Sequence, residues 1–206
     1  MRQGVSKEES MFVQVVQGKV KDADLLRREL RRWRTEIKPK VIGYLGTTSG
    51  VTSDGRAIAL FRFESEKDAI ANSSRAEQVK WWTSASKAFD GKAVIHNCKD
   101  VDTAFGGGSN WAGFVQVIQC KAKNQDEMRR RMKEMESSLR IARPDILGIV
   151  IAWHGGGDFT QAVYFTSAQA AHAGEASMQN DQMQKDFMAF MAGPPTFFDL
   201  QPPDFD

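Results

Sequence analysis

The chain has 206 residues, of which 41% are hydrophobic and 26% are charged, and its formal net charge at pH 7 is +2. These values are typical of a globular protein, and so small a charge does not indicate a nucleic acid or a membrane as a partner. No apolar run approaches the roughly 18 residues of a membrane-spanning helix, and the first residues are polar, unlike a signal sequence. Cys98 and Cys120 lack disulfide or metal-site spacing, so we expect a reducing, cytoplasmic location.

The chain contains an internal repeat. The thirteen residues from Phe12 and the thirteen from Phe114 are identical at eight positions, and the two stretches begin 102 residues apart. Two copies of one fold unit therefore account for nearly the whole chain. The predicted domains are a flexible tail at 1–10, a first repeat at 11–97, a flexible glycine-containing linker at 98–112 and a second repeat at 113–206.

The first half of the first repeat predicts a strand, a helix and a hairpin. Residues 12–16 are apolar on both faces, which is typical of a covered strand. Asp22 or Asp24 can cap the next helix, and Pro39 ends it. The buried stripe of this helix consists of Leu26, Leu30, Trp33 and Ile37. Strands at 41–45 and 57–63 follow, joined by a polar loop at 46–55.

The repeat then ends with a helix and a strand. Ser74 has capping-box spacing to Glu77, the helix stops at Gly91, and residues 93–96 form a short strand. The second repeat has an apolar stripe at the equivalent helix positions, which are Met128, Met132, Met135 and Leu139. Its hairpin is predicted at 147–153 and 160–166, its last helix at 181–191 and its last strand at 196–200.

The order β-α-β-β-α-β predicts an α+β protein made of two tandem ferredoxin-like units. Each unit leaves one face of its sheet uncovered, and such a face must be buried. We therefore expect the two sheets to pack against each other as an intramolecular dimeric α/β barrel with four helices outside. This pseudo-dimer is expected to be a monomer.

The pattern resembles the dimeric α/β-barrel superfamily that includes the antibiotic-biosynthesis monooxygenases and the haem-degrading monooxygenases. Stretches such as Trp81-Trp82 and Phe89-Asp90-Gly91 are similar to an uncharacterised actinobacterial group of tandem-repeat proteins. The resemblance implies a small-molecule ligand between the helices and the sheet, and for some members oxidation without a metal or organic cofactor. Haem is the alternative cofactor. Its branch has an Asn on the first strand and a Trp followed by a His on the second helix, whereas this chain has Gln14 and Gln116 on its first strands and His96 beyond that helix.

Gln14, Gln116 and Trp81 are the candidate ligand-binding residues. The two glutamines are equivalent in the repeats and lie in covered strands, where an unpaired amide costs about 1–3 kcal/mol. They either bind a ligand or pair across the barrel or with an edge strand. Trp82 fits the core stripe of its helix, whereas Trp81 points about 100° away and is the candidate for stacking on a ligand ring.

Arg62, Tyr164 and His154 are the candidate catalytic residues. Arg62 and Tyr164 are equivalent in the repeats; the first can hold an oxyanion and the second can donate a proton. Arg62 with Gln14 and Trp81 would suit a planar anionic or phenolic molecule, unless Arg62 pairs with a glutamate at the sheet edge. His154, near Asp158, is either a base or an exposed turn residue.

Other ligand classes lack a signature. No metal-ligand spacing occurs, so no metal is expected, and the glycine runs lack a phosphate-loop pattern. Helix arginines alternate with glutamates, which favours solvated faces over nucleic acid binding. The sequence thus predicts a monooxygenase-like small-molecule protein that oxidises an aromatic or polyketide-like compound without a cofactor, or else a non-catalytic ligand-binding or scaffold protein with filled pockets. If one half alone has a site, the tryptophan-rich first repeat is favoured.

Overall fold

A computed structural model of the chain describes residues 11–178 and 182–206. The expected flexible tail at 1–10 and the expected start of the last helix at Asp181 lie outside these residues. Across the described ranges, no helix is long and apolar enough to cross a membrane.

Strands and helices are numbered in chain order. The first repeat and the segment after it form β1 (Phe12–Lys19), α1 (Ala23–Arg32), β2 (Tyr44–Val51), β3 (Arg56–Phe63), α2 (Glu66–Ser73), α3 (Ala76–Ala85), β4 (Val94–Cys98) and β5 (Asp100–Ala104). The second repeat forms β6 (Phe114–Lys121), α4 (Gln125–Ala142), β7 (Ile146–Gly155), β8 (Asp158–Phe165), α5 (Ala168–Met178), α6 (Gln182–Ala189), β9 (Thr196–Leu200) and β10 (Asp204–Phe205). After α1, the chain continues through a π-helical and a 3-10 turn to Lys40.

Both repeats have the predicted ferredoxin-like topology. The strands of the first repeat lie in the order β2-β3-β1-β4 and those of the second in the order β7-β8-β6-β9. All neighbouring strands are antiparallel. Asp22 caps α1, because its side chain accepts a hydrogen bond from the backbone N–H of Leu25 at 2.8 Å.

The two sheets pack face to face, which confirms the intramolecular barrel. Their shared core contains Val13, Val15, Ile58 and Leu60 from the first sheet and Val115, Val117, Val150 and Ala162 from the second. Gln119 Nε2 donates to Gln17 Oε1 across the barrel. Since these glutamines are equivalent in the two repeats, the contact lies at the pseudo-symmetric centre.

The repeats exchange their last strands. β5 pairs with β7 of the second sheet, and β10 pairs with β2 of the first. Residues 100–104 therefore form a strand where the sequence predicted a flexible linker. The pairing satisfies backbone groups that would otherwise be unpaired at the edge of each sheet. The domain boundaries themselves stay a prediction.

The predicted hairpin loop at 46–55 is wrong, because residues up to Val51 belong to β2. Its small polar residues suggested a loop, but Thr47, Thr48 and Ser49 are buried in the strand. Threonine is β-branched and suits an extended backbone, so composition alone was misleading.

The second helix of the first repeat is divided. Ser65 caps the unpredicted helix α2 by accepting a hydrogen bond from the backbone N–H of Asp68 at 3.1 Å. Ser74 is not the N-cap of α3 but the C-cap of α2, because its hydroxyl donates to the carbonyl of Ile70 and α3 begins at Ala76. In the second repeat, the described residues form α5 and α6, of which α5 was not predicted.

Candidate ligand-binding site

A cavity of about 560 Å³ lies between the helices and the sheet of the first repeat. Its wall combines indole rings with side-chain amides, including Trp33, Trp81, Trp82, Gln14, Asn72 and Asn97. Among the described residues of the wall, Glu66 is the one charged side chain. This first cavity therefore suits a neutral ring-bearing compound with polar substituents.

The alternation of β1 places Gln14 in this wall. Val13 and Val15 face the barrel core, whereas Phe12, Gln14 and Val16 face the helices. Gln14 Nε2 donates to Asn97 Oδ1, directly opposite on β4, at 2.9 Å.

The second repeat has the same arrangement. Gln116 Nε2 donates to Asp199 Oδ1, directly opposite on β9, at 3.2 Å. Both glutamines thus pair with an edge strand, which is one of the two alternatives that the sequence left open for them. Each also lines a helix–sheet cavity, where this partner orients its amide.

The prediction that Trp82 of α3 belongs to the core stripe while Trp81 points away from it is wrong. Trp81 is only 4% exposed and packs with Trp33, Ile37 and Ala85. Its indole N–H donates to the carbonyl of Glu29 at 2.7 Å. Trp82 is half-buried, and both tryptophans line the first cavity. Because Trp81 is also a core residue, Trp82 is the better residue to substitute when testing a ligand.

Arg62 and Tyr164 lie on the other face of their sheets. Arg62 is directly opposite Val13, and Tyr164 is directly opposite Val115. Directly opposed residues of an antiparallel pair project to the same side, so both side chains enter the barrel. The structure consequently does not bring Arg62 together with Gln14 and Trp81.

Arg62 is 6% exposed, and its Nε donates to the carbonyl of Gly46 at 3.5 Å. Within the described residues it forms no ion pair with a carboxylate at 4.0 Å or less, so the expected glutamate pair is also wrong. The Tyr164 hydroxyl is hydrogen-bonded to Thr48 Oγ1 of the other sheet at 2.7 Å. Burial raises the pKa of Tyr164, and nearby Arg62 and Thr48 offset this in part. Tyr164 is therefore a neutral phenol that connects the sheets.

His154 lies on β7 and contacts the other repeat. Its ring stacks on that of His96 from β4, with centroids 3.9 Å apart, and its Nε2 lies 2.9 Å from Thr160 Oγ1. Burial, and then the proximity of His96, lower the pKa of His154 to about 4, although Asp158 acts in the opposite direction. His154 is thus a neutral, half-buried residue, and the expectation of an exposed turn residue is wrong. It lines neither cavity.

A second cavity, of about 610 Å³, lies between the helices and the sheet of the second repeat. Its wall is more apolar and includes Met132, Met135, Leu139, Ile149, Val163 and Phe187. The sequence favoured the first repeat if one half alone has a site, and it did not predict this second cavity. The available signal was the replacement of Trp33 by Met135 at the equivalent position, which leaves space beside the sheet.

The described residues show neither a group of metal ligands nor the haem pattern. No group of three or more His, Cys, Asp or Glu side chains within 11–178 and 182–206 is arranged to hold a metal ion. No described histidine lines the first cavity. His172 lines the second, but it lies on α5 without the preceding tryptophan of the haem pattern, and its Nδ1 is 3.5 Å from Glu175 Oε2. These residues do not fit the haem pattern.

Comparisons with known proteins agree with the architecture. No family model and no curated protein matches the sequence. A solved structure from Fusobacterium nucleatum, provisionally described as a monooxygenase, is similar with a TM-score of 0.75 at 8% identity, over 96% of this chain and 94% of that one. An anthrone oxidase-like protein is similar with a TM-score of 0.67 at 12% identity, over 98% and 95%.

A Listeria monocytogenes ferredoxin-fold protein related to antibiotic-biosynthesis monooxygenases has a TM-score of 0.54 at 10% identity, over 96% of this chain and 97% of that one. The chain has the fold of these monooxygenase-like proteins. At such low identity the likeness establishes the fold alone, and the resemblance to an actinobacterial group stays a prediction.

Proposed function

We propose that the protein binds an aromatic or polyketide-like compound in the first cavity and acts on it as a cofactor-independent monooxygenase. The observation that supports this most is the wall of that cavity, which joins three indole rings to side-chain amides in a volume of about 560 Å³. A volume of this size suits a drug-sized ligand. Indoles stack on planar rings, and amides bind hydroxyl and carbonyl groups.

The amides of the wall have fixed orientations. Gln14 is bonded to Asn97, and Gln78 Oε1 accepts a hydrogen bond from the Trp33 indole N–H at 3.0 Å. Such groups hold a ring compound in one pose without reorganising when it binds. Glu66 is the candidate proton acceptor, since it is the one carboxylate among the described residues of the wall. Arg62, Tyr164 and His154 have no part in this site because they lie elsewhere.

The second candidate function is ligand binding without catalysis. It is favoured by the lack of a cationic side chain in the described wall of the first cavity, since an anionic intermediate would have neutral amide and hydroxyl donors alone to stabilise it. The version with filled pockets does not agree with the two cavities.

The test measures binding and oxidation separately. Equilibrium dialysis with 1,8-dihydroxyanthraquinone measures binding, and an oxygen electrode measures the oxidation of anthrone, which consumes one dioxygen and releases one water per anthraquinone formed. Trp82→Ala and Gln14→Leu should each weaken dye binding about tenfold or more. The matched control is Trp111→Ala, because Trp111 is 91% exposed and outside the cavity.

The outcomes separate the two candidates. Oxygen uptake above the uncatalysed rate that is lost in Trp82→Ala supports the enzyme. Dye binding without added oxygen uptake supports the binding protein. If the dye does not bind, or binds Trp82→Ala and wild type equally, the first cavity is not the site.

A further inference from the structure

Gln161 carries a buried oxygen atom without a partner. The residue is 4% exposed and lies on the helix-facing side of β8, in the wall of the second cavity. Its Oε1 accepts no hydrogen bond from any described residue. Buried polar atoms in folded proteins are nearly always bonded, and an unpaired one is costly. Such an atom beside a cavity indicates a ligand that supplies the missing donor.

The repeat shows that this amide is not required by the fold. The equivalent residue of the first repeat is Ala59, 102 residues earlier on β3. The same sheet position therefore works with a methyl group, and the longer polar side chain is specific to the second cavity.

The rest of the cavity wall indicates an otherwise apolar, neutral ligand. Methionine, phenylalanine and isoleucine side chains dominate it, and methionine adapts readily to irregular shapes. Its arginine and carboxylate side chains already have partners. Arg143 forms two bonds with Asp145 at 2.8 and 2.9 Å, Arg131 pairs with Glu127 at 3.3 Å, and Glu136 pairs with Arg140 at 3.3 Å. Glu175 lies 3.5 Å from His172, and Asp199 accepts a hydrogen bond from Gln116 at 3.2 Å.

We propose that the second cavity is a separate binding site for an apolar compound with one hydrogen-bond donor, either a hydroxyl or an amide N–H. Gln161 Oε1 accepts the hydrogen bond from this donor. Gln161 is then the residue that determines specificity. This site differs from the first cavity in its position and its chemistry, so the two can be tested independently.

The experiment compares two probes of similar shape, 1-hydroxypyrene and 1-methoxypyrene, by equilibrium dialysis with the full chain. Only the first can donate a hydrogen bond. Wild type should prefer it about tenfold or more, and Gln161→Leu should bind both equally. The matched control is Gln169→Leu, the same change at an exposed position of α5 outside the wall of this cavity, which should keep the preference.

A blocking variant assigns the binding to this cavity. Met135→Trp places an indole where the first repeat has Trp33, and so fills the space with a residue that the fold accepts. It should abolish the selective binding, whereas Trp82→Ala in the first cavity should leave it intact. Failure of the anthraquinone test would therefore not affect this result.

Thermal unfolding without a probe completes the test. Gln161→Leu should unfold at the same or a higher temperature than wild type, because it removes an unpaired buried amide. The proposal is overturned by equal binding of the two pyrenes to wild type, or by a preference that persists in Gln161→Leu or Met135→Trp. A clearly lower melting temperature for Gln161→Leu would also overturn it, because Gln161 would then have a structural partner.

Discussion

The stacked imidazoles of His96 and His154 predict that stability depends on pH at the contact between the repeats. Burial and His96 lower the pKa of His154 from 6.5 to about 4 in the folded protein. Between these values the unfolded chain binds more protons than the folded one. The free energy of unfolding should therefore fall as the pH drops from about 6.5 towards 4. Above this range the stabilising contribution of neutral His154 should be fully present.

The magnitude follows from the size of the shift. One pKa unit corresponds to about 1.4 kcal/mol, so the whole shift gives an upper bound of about 3 kcal/mol. His154 is only half-buried, and solvent screening reduces this to about 1–2 kcal/mol. Between pH 7 and pH 5, His154 should thus remove about 1 kcal/mol from the free energy of unfolding.

Urea unfolding at pH 7 and pH 5 measures this loss. His154→Gln cannot titrate in this range and should lose about 1 kcal/mol less than wild type between the two conditions. His172→Gln is the matched control, since His172 is exposed on α5 and away from the contact. The reasoning fails if His154→Gln and wild type lose equal stability, or if His172→Gln reduces the loss as much as His154→Gln.

Three further predictions follow from the barrel interior. Thr48→Val should lower the free energy of unfolding by about 1–3 kcal/mol in urea, because the buried Tyr164 hydroxyl loses its partner; Thr103→Val, at an exposed site on β5, should change it by less than about 0.5 kcal/mol. A thiol reagent should modify Cys120 in the folded protein and Cys98 only after unfolding, because Cys98 is fully buried and burial raises its pKa to about 12; rapid modification of both would contradict this. Residues 113–206 expressed alone should dimerise or aggregate in light scattering, since their sheet would expose its barrel face; a stable monomer would refute the packing argument.

The fold was predictable because the repeat constrained every element twice. The stripe of Leu26, Leu30, Trp33 and Ile37 has an apolar counterpart at each position 102 residues later, so the helix assignments supported each other. The exchange of β5 and β10 was not predictable, because edge pairing depends on which chain segment lies beside the sheet. Short polar strands carry little signal of their own.

The site was harder to predict because a strand's two faces look alike in sequence when both are covered. Arg62 and Gln14 lie on adjacent strands and seem close, yet the register pairs Arg62 with Val13 and so sends it into the barrel. One residue of register decides the face. The roles predicted for Trp81 and Trp82 were wrong for a related reason. The start of α3 at Ala76 and its packing against α1 determine which indole is buried.

The exchanged strands change what a cut in the chain would do. A protease that cleaved between 106 and 112 would leave β5 on the first fragment and β10 on the second. Each fragment would still contribute a strand to its partner's sheet, in addition to the apolar contact between the sheets. The nicked protein should therefore remain a single particle, held as a two-chain complex in which neither fragment has a complete sheet of its own.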